Sequence, residues 1–180
     1  MFLGNYGHQP NEDAACWLVE CVMPLVWRKD PSIRCLLVGA GMTQRVRELE
    51  QARVEIMGHV PDLAAIWGRV RLSVAPLRYG AGVKGKVLES MAAGVPCVMT
   101  DVAAEGLALP AILREWVGDN AQDLADRIVA LHGDEALFRR AGGAGAAYIV
   151  ENFSADAVRD ALAVAIEGRC VAAAGDVAAE

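Results

Sequence analysis

An apolar run from Leu72 to Leu77 passes almost directly into Gly80-Ala81-Gly82-Val83-Lys84-Gly85-Lys86, which then takes up helical spacing at Val87, Leu88 and Met91. A run with no polar alternation reads as a strand buried on both faces, the setting of a parallel sheet. A parallel neighbour requires a crossover, normally a helix, so this one stretch already points to α/β architecture. The same succession recurs along the chain. Met1 to Gly4 leads into a polar loop, Asn5–Asn11; Ile33 to Val38 is broken by Gly39-Ala40-Gly41; Val54 to Met57 ends in Gly58-His59-Val60-Pro61; Val95 to Thr100 opens a loop from Asp101 to Pro110.

The segments between carry helix signals. Asn11 followed by Glu12 and Asp13 predicts a capped start, with a helix from Glu12 towards Trp27 that Pro24 kinks or ends. Further helices are expected over Met42–Ala52, Asp62–Gly68, Val83–Ala93 with Gly94 as its stop, Ala121–Leu131 and Glu135–Val150, and from a Ser154 cap to Ile166; a weak strand is expected at Glu115–Val117. Right-handed crossovers make this a Rossmann-like, doubly wound parallel sheet with helices on both faces. At 180 residues the chain is expected to be one domain over residues 1–168, with a disordered tail over 169–180.

In such sheets ligands bind beyond the carboxyl ends of the strands, where all five loops named above should gather. The glycine-rich turn is the strongest candidate among them. Helix N-termini present free N–H groups and the positive end of a dipole, and two of the chain's three lysines, Lys84 and Lys86, fall within three residues there. Glu89, one turn further on, is placed to accept hydrogen bonds from sugar hydroxyls, so the stretch reads as a nucleotide-diphosphate pocket. The plain alternatives are a surface pair between Lys86 and Glu89, and a solvated Lys84. Gly39-Ala40-Gly41 reads better as a simple strand-to-helix turn than as a second phosphate loop. His8 lies on the same edge and reads equally as a solvated loop residue.

A net charge of −6 argues against a protein that grips nucleic acid through its phosphates. The five cysteines show no metal-ligand spacing and read as free thiols of a reducing, cytoplasmic compartment. No acidic cluster suited to Mg²⁺ stands out, so neither a metal nor another cofactor is expected. The longest apolar stretch, Ala14 to Trp27, is interrupted by Glu20 and Pro24 and falls short of the roughly 20 residues a membrane span needs.

Together these segments resemble the C-terminal domain of family 4 glycosyltransferases of the two-domain GT-B fold. The resemblance rests on Phe2-Leu3-Gly4, on Pro10-Asn11 with Asp13-Ala14, on Leu36 to Gly39, on Gly58 to Leu63, and above all on the block from Val74 to Leu107. It implies a nucleotide-sugar donor bound here, an acceptor held by an N-terminal domain or separate subunit, and transfer with retention of configuration. It also implies roles by position. Glu89 matches the carboxylate that holds the ribose; Gly80, Gly82 and Val83 match the turn that meets the diphosphate; His59 and Val60 lie in the loop along the base. Glu105 is a candidate contact to the sugar or diphosphate. Ala81 stands where the family's motif places a first carboxylate, and a basic pair usual after the first strand is replaced by Asn5, Tyr6 and His8. Lys84 or Lys86 is therefore expected to offset the diphosphate charge.

Met1 abuts the first strand, which favours reading the chain as a fragment whose last helix exposes apolar surface and promotes self-association. Membrane association at the inner face is an expectation for the full-length protein. The rival readings are a non-catalytic nucleotide-sugar-binding module, favoured by Ala81, and part of a GT-B-type sugar epimerase.

Overall fold

The computed structural model describes residues 1–166; the expected disordered tail lies outside the described residues. Five strands, β1 (Phe2–Leu3), β2 (Cys35–Val38), β3 (Val54–Met57), β4 (Ser73–Ala75) and β5 (Cys97–Met99), are all parallel. The helices are α1 (Gln9–Trp17), α2 (Met23–Lys29), α3 (Gln44–Arg47), α4 (Leu63–Trp67), α5 (Gly85–Ala92), α6 (Asp101–Ala104), α7 (Ala111–Arg114), α8 (Ala121–Gly133), α9 (Glu135–Phe153) and α10 (Ala155–Ile166).

β1, β2 and β3 pair in register, Phe2 opposite Leu37 and Cys35 opposite Val54, while β4 and β5 pair with Ser73 opposite Cys97. The two groups join edge to edge. The Met1 nitrogen donates to the Leu72 carbonyl at 2.9 Å, and the Val74 N–H donates to the Met1 carbonyl at 2.8 Å. The strand order is thus β3-β2-β1-β4-β5, and the winding reverses between β1 and β4. That reversal opens a crevice at the carboxyl ends of β1 and β4.

Period-two packing covers both faces of the sheet. Cys35 and Leu37 of β2 join the main core with Ala15, Val22 and Val26. Leu36 and Val38 turn the other way and pack with Ile66 and Trp67 of α4. α5 buries Val87 and Met91, and α9 lies against it with Gly145 beside Met91. The doubly wound α/β expectation holds. No described helix is long and apolar enough to cross a membrane.

Several local expectations need correction. α1 starts at Gln9, with His8 at the N-cap and Pro10 in the first turn, so Asn11 lies inside the helix and leaves its side chain free for another use. Pro24 does not end the helical run. Leu18–Val22 forms a π-helical turn immediately ahead of Pro24, and α2 carries the helical run on from Met23 to Lys29. The helix after β2 is a single turn capped by Thr43, not the full Met42–Ala52. The loop after β5 contains α6, because Thr100 accepts the Ala103 N–H and caps a short turn. The weak strand near Val117 is reduced to one parallel bridge with Met99.

Candidate functional site

The crevice between β1 and β4 is walled by two segments: the Gly4–His8 loop with the start of α1, and the Arg78–Lys84 turn with the start of α5. The first is a tightly bonded turn. Tyr6 is buried, its hydroxyl donates to the Phe2 carbonyl at 2.9 Å, and its ring meets Phe2 edge-on at 5.7 Å. The Tyr6 N–H donates to the Ala40 carbonyl, and a Cβ on Gly39 would lie 1.8 Å from the Gly4 carbonyl oxygen. Gly39-Ala40-Gly41 is therefore a packing turn that supports this loop.

The second wall is open and glycine-shaped. Gly80 and Gly82 have φ of 130° and 77°, values that L side chains rarely adopt, and Gly80, Ala81, Gly82 and Val83 are all exposed. Val83 and Tyr79 are large apolar side chains left 48% and 43% exposed at the mouth. The two walls are clamped together. Arg78 donates through Nε to Asp13 Oδ2 at 2.8 Å and through Nη2 to Asp13 Oδ1, with its guanidinium 5.8 Å from the Trp17 ring centre.

The two lysines behave differently. Lys84 caps α5, sends its ammonium to the Gly82 carbonyl, and lies 3.6 Å from the Glu105 carboxylate. It ties the glycine turn to the loop after α6, where Gly106 packs on Val83. Lys86 points into the base of the crevice. Its ammonium donates to Asn11 Oδ1 and sits 4.6 Å from the Phe2 ring centre. Burial pushes its pKa down to about 8, against opposing pulls from Cys97 and Glu89. The surface pair between Lys86 and Glu89 does not form; Glu89 is exposed on α5 and has no ion-pair partner among the described residues.

Gly80 to Lys86, Glu89 and Glu105 thus come together. His59 and Val60 lie on the same edge but beyond β3, three strand spacings from β4, or about 14 Å. His59 is exposed, and Val60 packs beside α4. Only an extended ligand reaches both ends. Asn11, Phe2 and the Arg78–Asp13 clamp were not legible as site components: Asn11 carries the signature of a cap, and the clamp joins residues 65 apart. A cavity of about 370 Å³ lies beside the clamp, lined by Trp17, Arg78, Thr100, Asp101 and Asp119. Asp119 is raised above the usual carboxylate range by its hydrogen bond with Asp101. A second cavity, about 320 Å³, is at the opposite, amino-terminal edge of the sheet, remote from the glycine turn.

The fold has clear relatives. A HepE protein of Anabaena, solved with UDP, superposes with a TM-score of 0.71 at 15% identity, over 93% of this chain and 48% of that one. TarM of S. aureus, solved with fondaparinux, α-GlcNAc-glycerol and UDP, gives 0.75 at 19% identity, over 90% of this chain and 34% of that one. A Rickettsia africae glycosyltransferase gives 0.69 at 20% identity, over 92% and 46%. In sequence, an exopolysaccharide phosphotransferase of Streptomyces coelicolor is 30% identical over 128 residues, 62% of this chain and 13% of its own length. The chain thus spans less than half of each of these relatives. The family model described as glycosyl transferases group 1 matches residues 1–134, from β1 through both walls of the crevice to the end of α8. The chain belongs to the group 1 glycosyl transferases.

Proposed function

We propose that this chain is the nucleotide-sugar-binding half of a family 4, GT-B glycosyltransferase, with the acceptor held by a separate domain or subunit. The observation that carries the reading is the meeting, at the sheet's reversal point, of an open glycine turn, the N-termini of α1 and α5, and a lysine ammonium. That combination suits a diphosphate, which is anionic and accepts hydrogen bonds from backbone amides. The UDP-bound state of the HepE and TarM neighbours is consistent with such a ligand.

In this reading the amides of Gly82 and Val83 meet the diphosphate and Lys86 supplies the nearest charge. Glu89, without an ion-pair partner among the described residues, accepts from the vicinal ribose hydroxyls, and the Gly58–Val60 loop lies along the base. Lys84 and Glu105 fasten the lip of the site. As the sugar leaves, negative charge grows on the β-phosphate, and fixed amide dipoles with a lysine cation stabilise it without reorganising. The reading requires no resident metal and, with Ala81 in place of a carboxylate, assigns no catalytic carboxylate to the turn. Retention of configuration, a cytoplasmic location and contact with the inner face of a membrane belong to the same proposal. The name of the Streptomyces relative refers to phosphate transfer, but this chain matches only 13% of that protein.

Ala81 also favours a second reading, a nucleotide-sugar-binding module that does not catalyse transfer. A thermal-shift and calorimetric panel of UDP, GDP, ADP and dTDP tests the donor site. One of them should raise the melting temperature with a saturable dependence, because a ligand that binds only the folded state stabilises it. No shift with any of the four at millimolar concentration would overturn the reading. Transfer on adding an acceptor domain separates the enzyme from the module.

A further inference from the structure

We propose that Asn11 is a positioning residue of the donor site: its side-chain amide, anchored on the Asn5 carbonyl, holds the Lys86 ammonium in the crevice between β1 and β4. This rests on the donor-site reading above and adds a residue to which no binding role attaches by sequence.

Asn11 is free for the task because the helix begins two residues before it, with His8 as the cap. Its Nδ2 donates to the Asn5 carbonyl at 2.9 Å, and its Oδ1 accepts from Lys86 Nζ. These two bonds fix the amide orientation. The flipped amide would set NH₂ against the ammonium and oxygen against the Asn5 carbonyl, both repulsive. Glycine at position 4 leaves room for this side chain, since a Cβ there would lie 3.3 Å from both the Asn11 Cβ and Cγ. Asn5 in turn shapes the loop: its side-chain oxygen accepts the Gly7 N–H at 3.2 Å, and its carbonyl accepts the His8 N–H at 3.1 Å. Asn11 thus couples the loop after β1 to the lysine of the opposite wall.

The lysine needs this help because it is largely buried. An ammonium taken out of water loses its charge unless dipoles or counter-charges replace the solvent. The groups that face it are the Asn11 oxygen from α1, the Phe2 ring from β1, Cys97 from β5, Lys84 from the preceding turn, and Glu89 from its own helix. Of these, Asn11 is the one hydrogen-bond acceptor in contact, and it uses only one of the three ammonium donors. The remaining donors are available to an anion. Lys84 is held elsewhere, its ammonium turned to the Gly82 carbonyl and towards Glu105 at the lip.

The test compares the intact chain with Asn11→Ala, Lys86→Met, the double variant and Asn11→Asp. Binding of UDP, GDP, ADP and dTDP is measured by calorimetry alongside the parent nucleosides. The lysine ¹³Cε resonances are followed through pH, with the Lys86 signal identified by its loss in Lys86→Met. Asn11→Ala should weaken the preferred diphosphate about 10-fold or more, the scale of one hydrogen bond to a charged group, and leave its nucleoside unaffected. Lys86→Met should add little on top of Asn11→Ala. The Lys86 resonance should titrate at lower pH in Asn11→Ala and at higher pH in Asn11→Asp, whose carboxylate pairs with the ammonium and competes with the ligand. Equal losses for diphosphate and nucleoside, additive losses in the double variant, or an unmoved Lys86 titration would each overturn the inference while the donor site stands. Absence of binding by the intact chain to all four diphosphates would remove the donor site and this role with it. Should Asn11→Ala fail to fold, Asn11→Asp decides on the same two readouts.

Discussion

The Lys86 ammonium lies 4.6 Å from the centre of the Phe2 ring, so a cation occupies space at the end of β1 that an apolar side chain would fill at lower cost. Burial sets its folded pKa at about 8, against 10.5 for an unhindered lysine. The direction of the resulting linkage is fixed. Between pH 8 and 10.5 the unfolded chain binds more protons than the folded one, so this residue makes stability rise with pH across that window. Below pH 8 its charge is a standing cost of roughly 3.5 kcal/mol at most, by the conversion of about 1.4 kcal/mol per pKa unit. Lys86→Met should therefore be more stable than the parent at pH 7, and its advantage should shrink as pH rises towards 10.5. Urea denaturation of both proteins from pH 6 to pH 10.5 measures this. A variant less stable at pH 7 would show that Lys86 is a structural strut and not a functional charge held at a cost.

Glu89 presents a carboxylate with no hydrogen-bond or ion-pair partner among the described residues, on the first turns of α5 and within reach of whatever the glycine turn binds. If it holds the ribose, Glu89→Gln should weaken nucleoside-diphosphate binding by about 10- to 100-fold, the range expected for hydrogen bonds to a charged acceptor. The same variant should bind the 2′-deoxy nucleotide almost as the parent does, because the lost partner is then absent in both. Parallel calorimetric titrations of ribo- and deoxyribonucleotides check the prediction. Equal losses for the two sugars would take Glu89 away from the ribose.

The sheet was readable because its strands are almost continuously apolar and its turns are marked by glycine, signals that act within a few residues. The run to Val38 and the block through Gly80 both placed the right element on the right edge of the sheet. Asn11 was not readable in the same way. An Asn ahead of two acids is the local signature of a cap, yet Pro10 shifts the helix start to Gln9, and the side chain is claimed by Lys86 from 75 residues away. Likewise the π-helical turn at Leu18–Val22 absorbs Pro24, which local rules treat as a breaker. What escaped the sequence was the pairing across the crevice, where distant side chains compete with local preference.

Gly142 of α9 fixes how closely that helix approaches the turn after α5. A Cβ there would lie 2.3 Å from the Gly94 carbonyl oxygen and 3.6 Å from Pro96 Cδ, and backbone cannot move aside as a flexible side chain can. Gly142→Ala should destabilise by about 1–3 kcal/mol, the usual cost of forcing atoms into a packed contact. Gly143, one residue on, is exposed and has nothing within 4 Å of such a Cβ. Gly143→Ala should instead stabilise by about 0.5–1 kcal/mol through helix propensity. Opposite signs for the two adjacent alanines in thermal denaturation would confirm that the α5–α9 contact is the cause. Matching signs would place the constraint elsewhere.

α10 has no buried residue, and Val158, Leu162 and Ile166, four apart on one face, are 43%, 56% and 83% exposed. Val150 near the end of α9 adds a further apolar side chain at 67% exposure. A contiguous stripe of this kind favours association, because burying it against a second surface removes apolar area from water at about 25 cal/mol per Å². The 180-residue chain on its own should therefore self-associate with rising concentration. A Val158→Glu, Leu162→Glu double variant should remain monomeric, since α10 contributes nothing to the buried core whose loss would unfold the domain. Sedimentation velocity over a hundredfold concentration range distinguishes the two, with nucleotide affinity as the control, because the stripe lies on α10 and none of its residues enters the crevice. A parent chain that stays monomeric throughout would show that this apolar face is too small or too mobile to drive association.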